Sequence, residues 1–198
     1  MSLIDRLHKR GLINPPHFLI HNTHYEVMMG SVAYGVSEDT SDVDVYGFCI
    51  PPKDVIFPHL RGEILGFGKQ INRFEQYQQH HVEDKEARKS YDISIYNIVR
   101  YFHLVMENNP NMIDSLFVPH RCVLHTTKVG NMVRDERKMF LHRGCWAKFK
   151  GYSYAQMHKM DLKHEKVKKL YEFEKKFNIS SNITITEIEN EIRSRNLI

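Results

Sequence analysis

A glycine-serine turn followed closely by a strand with alternating carboxylates, residues 30–47, most constrains the fold of this 198-residue chain. The apolar run 27–29 leads directly into this stretch, which predicts a strand that ends in a tight turn at the start of a short helix. The polar residues 37–41 predict a second turn. Residues 42–45 read Asp-Val-Asp-Val, and alternation of this kind predicts a second strand.

The alternation places two carboxylates together. Successive strand side chains point to opposite faces, so Asp42 and Asp44 share one face while Val43 and Val45 share the other. Adjacent carboxylates repel each other unless a positive charge lies between them. Magnesium or manganese is the natural candidate, because these ions prefer oxygen ligands and are held by one or two carboxylates plus substrate phosphates.

Gly30 and Ser31 predict the phosphate-binding half of the same site. Glycine lets a phosphate approach the backbone closely, and the backbone amides and the serine hydroxyl can donate hydrogen bonds to its oxygens. A lone Asp-x-Asp is common on solvated strands. The glycine-serine turn, the short helix and the Asp-x-Asp strand in this order are much more specific.

This arrangement resembles the nucleotidyltransferase core of the DNA polymerase β superfamily. The wider motifs are similar to those of the RNA-repair-associated polymerase-β-like family of nucleotidyltransferases. They are Gly-Ser-Val-Ala-Tyr-Gly (30–35), Ser-Asp-Val-Asp-Val-Tyr-Gly (41–47), Ile-Pro-Pro (50–52), Asn-Pro (109–110) and Ile-Asp-Ser-Leu-Phe (113–117). The resemblance covers about residues 20–160. The resemblance implies that longer members continue into a helical segment bearing Lys, His and Arg. We therefore expect either a short member, or a nucleotide-contacting module that is absent or supplied by a partner.

The resemblance implies transfer of a nucleoside monophosphate from an NTP such as ATP to a hydroxyl acceptor, with release of pyrophosphate. Two Mg²⁺ (or Mn²⁺) ions are implied, both bound by Asp42 and Asp44 and the second also by Asp92. An RNA 3′ end is the preferred acceptor on family association, as in RNA repair. The implied nucleotide-binding residues are Gly30, Ser31 and Ser41, of which the first two would cradle the β- and γ-phosphates.

Asp92 is the third candidate catalytic carboxylate. The related enzymes commonly carry such a group on a neighbouring strand, where it ligates the metal that activates the attacking hydroxyl and can accept its proton. The alternative is that Asp92 caps the following helix, whose apolar stripe is clear in residues 95–106. Glu83 and Asp84 are weaker rivals for the same role.

Residues 145–177 predict a long, increasingly basic helical region. Its aromatic residues could stack bases while lysines hold phosphates, and Lys159, Lys163 and Lys166 are the candidate acceptor-binding residues. The alternative is that the aromatic residues belong to a core and the lysines form a solvated face. The aromatic residues in question are Trp146, Phe149, Tyr152 and Tyr154.

Composition adds few constraints. A net charge of +4 is compatible with a polyanionic partner, but it does not by itself indicate one. The three cysteines lack metal-ligand spacing and are typical of reduced thiols in a cytoplasmic protein. We also expect no signal peptide and no membrane association.

The sequence therefore predicts an α/β protein with a small mixed sheet, flanking helices and a helical C-terminal part. Residues 1–125 would form the nucleotidyltransferase core and residues 126–198 the helical region. We expect an exposed helix or loop over residues 75–89 and a short last helix over 188–195. Two other functions stay open: a nucleotidyltransferase that modifies proteins or small molecules, and a non-catalytic nucleotide- or RNA-binding protein.

Overall fold

A five-stranded mixed sheet lies at the centre of the structure, a computed structural model that describes residues 1–37, 41–70 and 72–177. The strands are β1 (Thr23–Met28), β2 (Val43–Cys49), β3 (Gln76–Asp84), β4 (Lys89–Asn97) and β5 (Val123–Thr126). Their order across the sheet is β3-β4-β2-β1-β5. β2 pairs in parallel with β4 and antiparallel with β1, so the predicted mixed sheet is confirmed.

Eight α-helices accompany the sheet in the described residues, which confirms the predicted α/β fold class. They are α1 (Leu3–Lys9), α2 (His17–Asn22), α3 (Gly30–Tyr34), α4 (Lys53–Ile56), α5 (Ile98–Met106), α6 (Pro110–Phe117), α7 (Lys128–Asp135) and α8 (Gly144–Phe177). In this same part of the chain, no helix has the length and apolar character needed to cross a membrane.

Strand β2 is buried on both faces for most of its length. Val43 and Val45 belong to one apolar cluster, which includes Leu3, Ile4 and Leu7 of α1. Phe48 belongs to a second cluster, in which its ring centroid lies 4.9 Å from that of Tyr101 in α5. Burial on both sides fixes the position of the strand, and with it the position of Asp44 near the N-terminal end of the strand.

Glu26 ties α1 to the sheet. This residue of β1 is fully buried, and its carboxylate accepts hydrogen bonds from Leu3 N at 2.6 Å and from Ile4 N at 3.2 Å. Burial raises the pKa of Glu26 to about 7, although the two backbone hydrogen bonds oppose this shift. A buried carboxylate thus satisfies backbone donors in the first turn of α1, where negative charge is favoured.

The prediction for residues 75–89 was wrong. Instead of an exposed helix or loop, β3 and β4 form an antiparallel hairpin at the edge of the sheet. The sequence signal for a strand is weak here, because β3 is mostly polar and buries only Val82 and Asp84. Asp84 accepts hydrogen bonds from Arg10 and from Ala87 N, so this buried acid anchors the hairpin instead of serving as a catalytic group.

The chain forms two compact units, Met1–Phe149 and Lys150–Ile198. Phe149 packs against the second apolar cluster of the first unit. Within the second unit, Lys150 Nζ lies 5.8 Å from the ring centroid of Tyr154. The predicted division between residues 125 and 126 stays a prediction, and the predicted helix over 188–195 lies outside the described residues.

Candidate active site

The turn between β1 and α3 brings Gly30 against Asp44. Met29 N donates a hydrogen bond to Asp44 O at 2.8 Å, which closes the turn onto β2. Gly30 has a φ of +61°, in the left-handed region that favours glycine. A Cβ atom at this position would lie 2.1 Å from Asp44 Oδ2. The glycine of the sequence motif is therefore required both by the backbone conformation and by the neighbouring carboxylate.

Asp44 lies directly beside Asp92 on the neighbouring parallel strand. The two residues are register partners in the pairing of β2 with β4. Parallel register places their side chains on the same face of the sheet, on strands about 4.8 Å apart. Burial raises the pKa of Asp44, and the charges of Asp92 and then Asp42 raise it further, while His80 opposes the shift. The sheet thus concentrates negative charge at this point.

Asp42 lies one residue before β2 and is exposed. Its charge contributes to the raised pKa of Asp44, so the three carboxylates form one electrostatic cluster. The buried residues Val43 and Val45 alternate with half-buried Asp44, as the sequence pattern predicts. Ser41, next to Asp42 in the same turn, is half-buried.

Asp92 is held by a bulge in β3. The register between β3 and β4 shifts after Gln79, so two residues, His80 and His81, face the single residue Asp92. His81 N donates to Asp92 Oδ1 at 2.8 Å, and His80 Nδ1 lies 3.2 Å from Asp92 Oδ2. Burial tends to raise the pKa of Asp92, but the His81 amide and His80 outweigh it, so the pKa is lowered.

The alternative role of Asp92 as a helix cap does not fit the structure. Asp92 lies within β4, and α5 begins only at Ile98. The N-cap of α5 is Asn97, whose side chain accepts a hydrogen bond from Arg100 N at 2.7 Å. Asp92 is therefore free of that structural task, and its carboxylate belongs to the Asp44 cluster.

A row of polar side chains on β3 leads to Asp92, and sequence reasoning missed it. Gln76 Nε2 donates to Gln78 Oε1 at 3.1 Å, and Gln78 Nε2 lies 2.8 Å from His80 Nε2. His80 and His81 lie in the stretch 75–89, for which the sequence predicts an exposed helix or loop. The alternate spacing of Gln76, Gln78 and His80 was the available signal, since residues two apart share a strand face.

Helix α6 contacts α3, the short helix that follows the turn at Gly30. Asn109 caps this helix, and Asp114 accepts a hydrogen bond from the Tyr34 hydroxyl of α3 at 2.5 Å. Ser115 O accepts a hydrogen bond from the buried Tyr25 hydroxyl at 2.8 Å. The downstream motif of the sequence therefore stabilises α3, which carries Gly30 and Ser31.

The donor chemistry at this point fits a divalent cation. Asp44 and Asp92 supply oxygen ligands, and Asp42 adds a third negative charge to the cluster. Over residues 1–37, 41–70 and 72–177, no group of three or more His, Cys, Asp or Glu side chains is already arranged to hold a metal ion. A bound cation would have to draw further ligands from substrate phosphates or water, as Mg²⁺ commonly does.

A separate cavity lies at the opposite end of β2 and β4. It has a volume of about 390 Å³ and is lined in part by Pro51, Phe74, Asn97 and Arg100. Asn97 is the register partner of Cys49, whereas the carboxylates lie five residues earlier on each strand. The cavity therefore does not include the candidate active site.

The candidate acceptor-binding lysines, Lys159, Lys163 and Lys166, are exposed residues of α8 in the second unit. Trp146, Tyr152 and Tyr154 are also exposed, whereas Phe149 packs into the core of the first unit. Exposure alone favours neither acceptor binding nor a purely solvated face. The role of the lysines in acceptor binding stays a prediction.

Comparison with known proteins identifies the family. No curated protein and no solved structure matches the chain. A family model does match, over residues 14–176, and this span includes the Gly30 turn, all three carboxylates and the β3 bulge. The chain belongs to the RNA repair pathway DNA polymerase beta family, RlaP, which indicates a polymerase-β-like nucleotidyltransferase.

Proposed function

We propose that this protein is a divalent-metal-dependent nucleotidyltransferase, which transfers a nucleoside monophosphate from an NTP to a hydroxyl acceptor and releases pyrophosphate. The observation that carries the proposal is the position of Asp44, between Gly30 of the turn and Asp92 of the neighbouring strand. This geometry combines a charge cluster suited to cations with a glycine turn that allows a carboxylate to lie directly against the backbone.

Asp42 and Asp44 would hold two Mg²⁺ or Mn²⁺ ions, and Asp92 would be a ligand of one of them. Ions bound in this way neutralise the triphosphate and lower the pKa of the attacking hydroxyl. The lowered pKa of Asp92 keeps this carboxylate ionised, as a ligand and proton acceptor must be. Burial and then the charges of Asp92 and Asp42 raise the pKa of Asp44, and a bound cation would relieve the repulsion between the carboxylates.

Gly30, Ser31 and Ser41 would bind the nucleotide. Because Gly30 has no side chain, the Asp44 carboxylate can lie directly against the turn, and the backbone of the turn and the Ser31 hydroxyl in the next position of α3 would donate to the triphosphate. Most of the rate enhancement would come from positioning and charge stabilisation, because phosphoryl transfer leaves the protein little covalent work.

We propose an RNA 3′ end as the acceptor. The family description supports this choice, since it assigns these proteins to RNA repair. Exposed Lys159, Lys163 and Lys166 of α8 would contact the phosphates of such an acceptor.

The test is incubation of the purified protein with each α-labelled NTP, Mg²⁺ or Mn²⁺, and one acceptor at a time. Extension of an RNA with a 3′-hydroxyl, but not of the same RNA with a blocked 3′ end, is the expected result. Chelation with EDTA and the Asp44→Asn variant should both abolish labelling. Label in the protein itself or in a small molecule would shift the acceptor to those classes. Nucleotide binding without transfer to any acceptor would indicate a non-catalytic binding protein.

A further inference from the structure

The hydrogen bonds of β3 determine which nitrogen of His80 carries its proton. Gln78 Oε1 accepts a hydrogen bond from Gln76 Nε2, so the amide nitrogen of Gln78 is the atom that faces His80. That nitrogen can only donate, and it lies 2.8 Å from His80 Nε2. With the Gln78 amide in this orientation, His80 Nε2 accepts the hydrogen bond and carries no proton.

The proton of a neutral His80 then resides on Nδ1, which lies 3.2 Å from Asp92 Oδ2. His80 Nδ1 contacts one oxygen of Asp92, while the backbone amide of His81 donates to the other, at 2.8 Å. Both contacts arise from the bulge that sets two residues of β3 opposite Asp92. The backbone at His81 adopts a φ of +52°, which turns its amide toward the carboxylate.

We infer that His80 is a positioning residue for Asp92, with Gln78 selecting the His80 tautomer that donates to the carboxylate. This inference rests on the proposed function, because it gives Asp92 a metal to bind. Groups that donate hydrogen bonds to metal-binding carboxylates fix the orientation of the ligand, and their loss commonly weakens metal affinity by about 10- to 100-fold. The row Gln76, Gln78, His80 and Asp92 would thus connect the edge strand to the metal site.

The first measurement is the tautomer of His80 in the metal-free protein, from ring ¹⁵N chemical shifts at mildly alkaline pH. We expect a protonated Nδ1 and an unprotonated Nε2. The Gln78→Ala variant should shift the population toward the form protonated on Nε2. Gln79→Ala is the matched control, because it removes the same amide from the next residue of β3, where Gln79 contacts Tyr77 instead of His80. A wild-type His80 protonated on Nε2, or an equal shift in both variants, would overturn the inference.

The second measurement is Mn²⁺ affinity, followed by the EPR signal of the free ion. His80→Ala should weaken binding by about 10- to 100-fold. His80→Asn should recover most of this loss, because its side-chain amide can donate from nearly the position of Nδ1. The side chain of His80 is half exposed, so both variants are expected to fold. Affinity within about twofold of wild type for His80→Ala, with Asp44→Asn still weakening binding, would overturn the positioning role alone. Absence of Mn²⁺ binding by the wild-type protein would overturn the proposed function as well.

Discussion

Asp44 occupies the space beside Gly30 that the side chain of any other residue would need, since a Cβ there would lie 2.1 Å from its Oδ2 atom. The turn and the carboxylate therefore depend on each other. A change at residue 30 therefore acts directly on the Asp44 carboxylate, although the residue itself offers only backbone.

The first prediction is that Gly30→Ala lowers the transfer rate by about 100-fold or more. The added Cβ atom must displace the Asp44 carboxylate, and misplacement of a catalytic group by about 1 Å can have an effect of this size. Stability should also fall by about 1–2 kcal/mol because of the positive φ. Gly62→Ala is the control: its φ is +80°, but a Cβ atom there would meet nothing within 4 Å. Transfer kinetics and chemical denaturation of both variants provide the check, and equal transfer rates would contradict the role of the close approach.

The second prediction is that Asp44→Asn abolishes transfer but does not destabilise the metal-free protein. Burial and the neighbouring charges of Asp92 and Asp42 raise the pKa of Asp44, so its ionised form is unfavourable in the fold at neutral pH. Asn removes that charge and should stabilise the fold slightly. Asp84→Asn is the contrasting variant, because loss of a buried charge paired with Arg10 should lower stability. Near-normal transfer by Asp44→Asn would exclude the proposed site.

The third prediction separates chemistry from helix capping. Asp92→Asn should lower the transfer rate by about 100-fold or more, the range for a positioned acid-base group. Its melting temperature should change little, because Asn97 caps α5. Asn97→Ala removes the cap instead, so this variant should lose about 1 kcal/mol of stability while its transfer rate is unchanged. Full turnover by Asp92→Asn would show that the carboxylate is not part of the reaction.

The fourth prediction concerns the pH dependence of stability through Glu26. Burial raises its pKa to about 7 in the folded state, against an ordinary value of 4.5 when the chain is unfolded. The unfolded chain therefore loses this proton first as the pH rises, and stability falls between about pH 4.5 and 7. The total is about 3 kcal/mol, from a difference of about 2.5 pKa units. Glu26→Gln should flatten this part of the curve, as followed by denaturation across pH, because the variant has no proton to lose there. Identical slopes would contradict the assignment.

The fifth prediction tests the acceptor. Replacement of Lys159, Lys163 and Lys166 by Gln should weaken RNA binding and reduce the slope of log affinity against log salt. The expected reduction is about 2 units, from about 0.7 for each phosphate contacted in a single strand. NTP affinity without RNA is the internal control and should not change. An unchanged salt slope would mean that α8 does not bind the acceptor.

The turn at Gly30, α3 and β2 could be predicted from the sequence because their signals are local. A glycine, a short apolar run and an Asp-Val alternation are read within 20 residues of each other. The candidate role of Asp92 could be inferred only from the family resemblance, because nothing near this residue in the sequence indicates which strand will lie beside it. Its position beside Asp44 depends on parallel pairing between residues 48 positions apart.

The β3 hairpin could not be predicted for a different physical reason. An edge strand buries little, so β3 shows almost no apolar alternation, and only Val82 and Asp84 are buried in it. The bulge at His80 and His81 depends on the register with β4, which a single strand sequence does not specify. The contacts that hold Asp92 were therefore missed, although their residues are conspicuous in the sequence.

The parallel pairing of β2 with β4 has a consequence for how the site is assembled and lost. The segment between Cys49 and Lys89 must close as a loop before Asp44 and Asp92 can meet, and closure of a long loop is entropically unfavourable. The hairpin of β3 and β4 adjoins the rest of the sheet only through β2. Ile93 and Ile95 of β4 are fully buried in the same core as Val43 and Val45, so the carboxylates cannot separate without exposure of that core. Hydrogen exchange at β4 amides should therefore be as slow as global unfolding, and the site should be lost together with the fold.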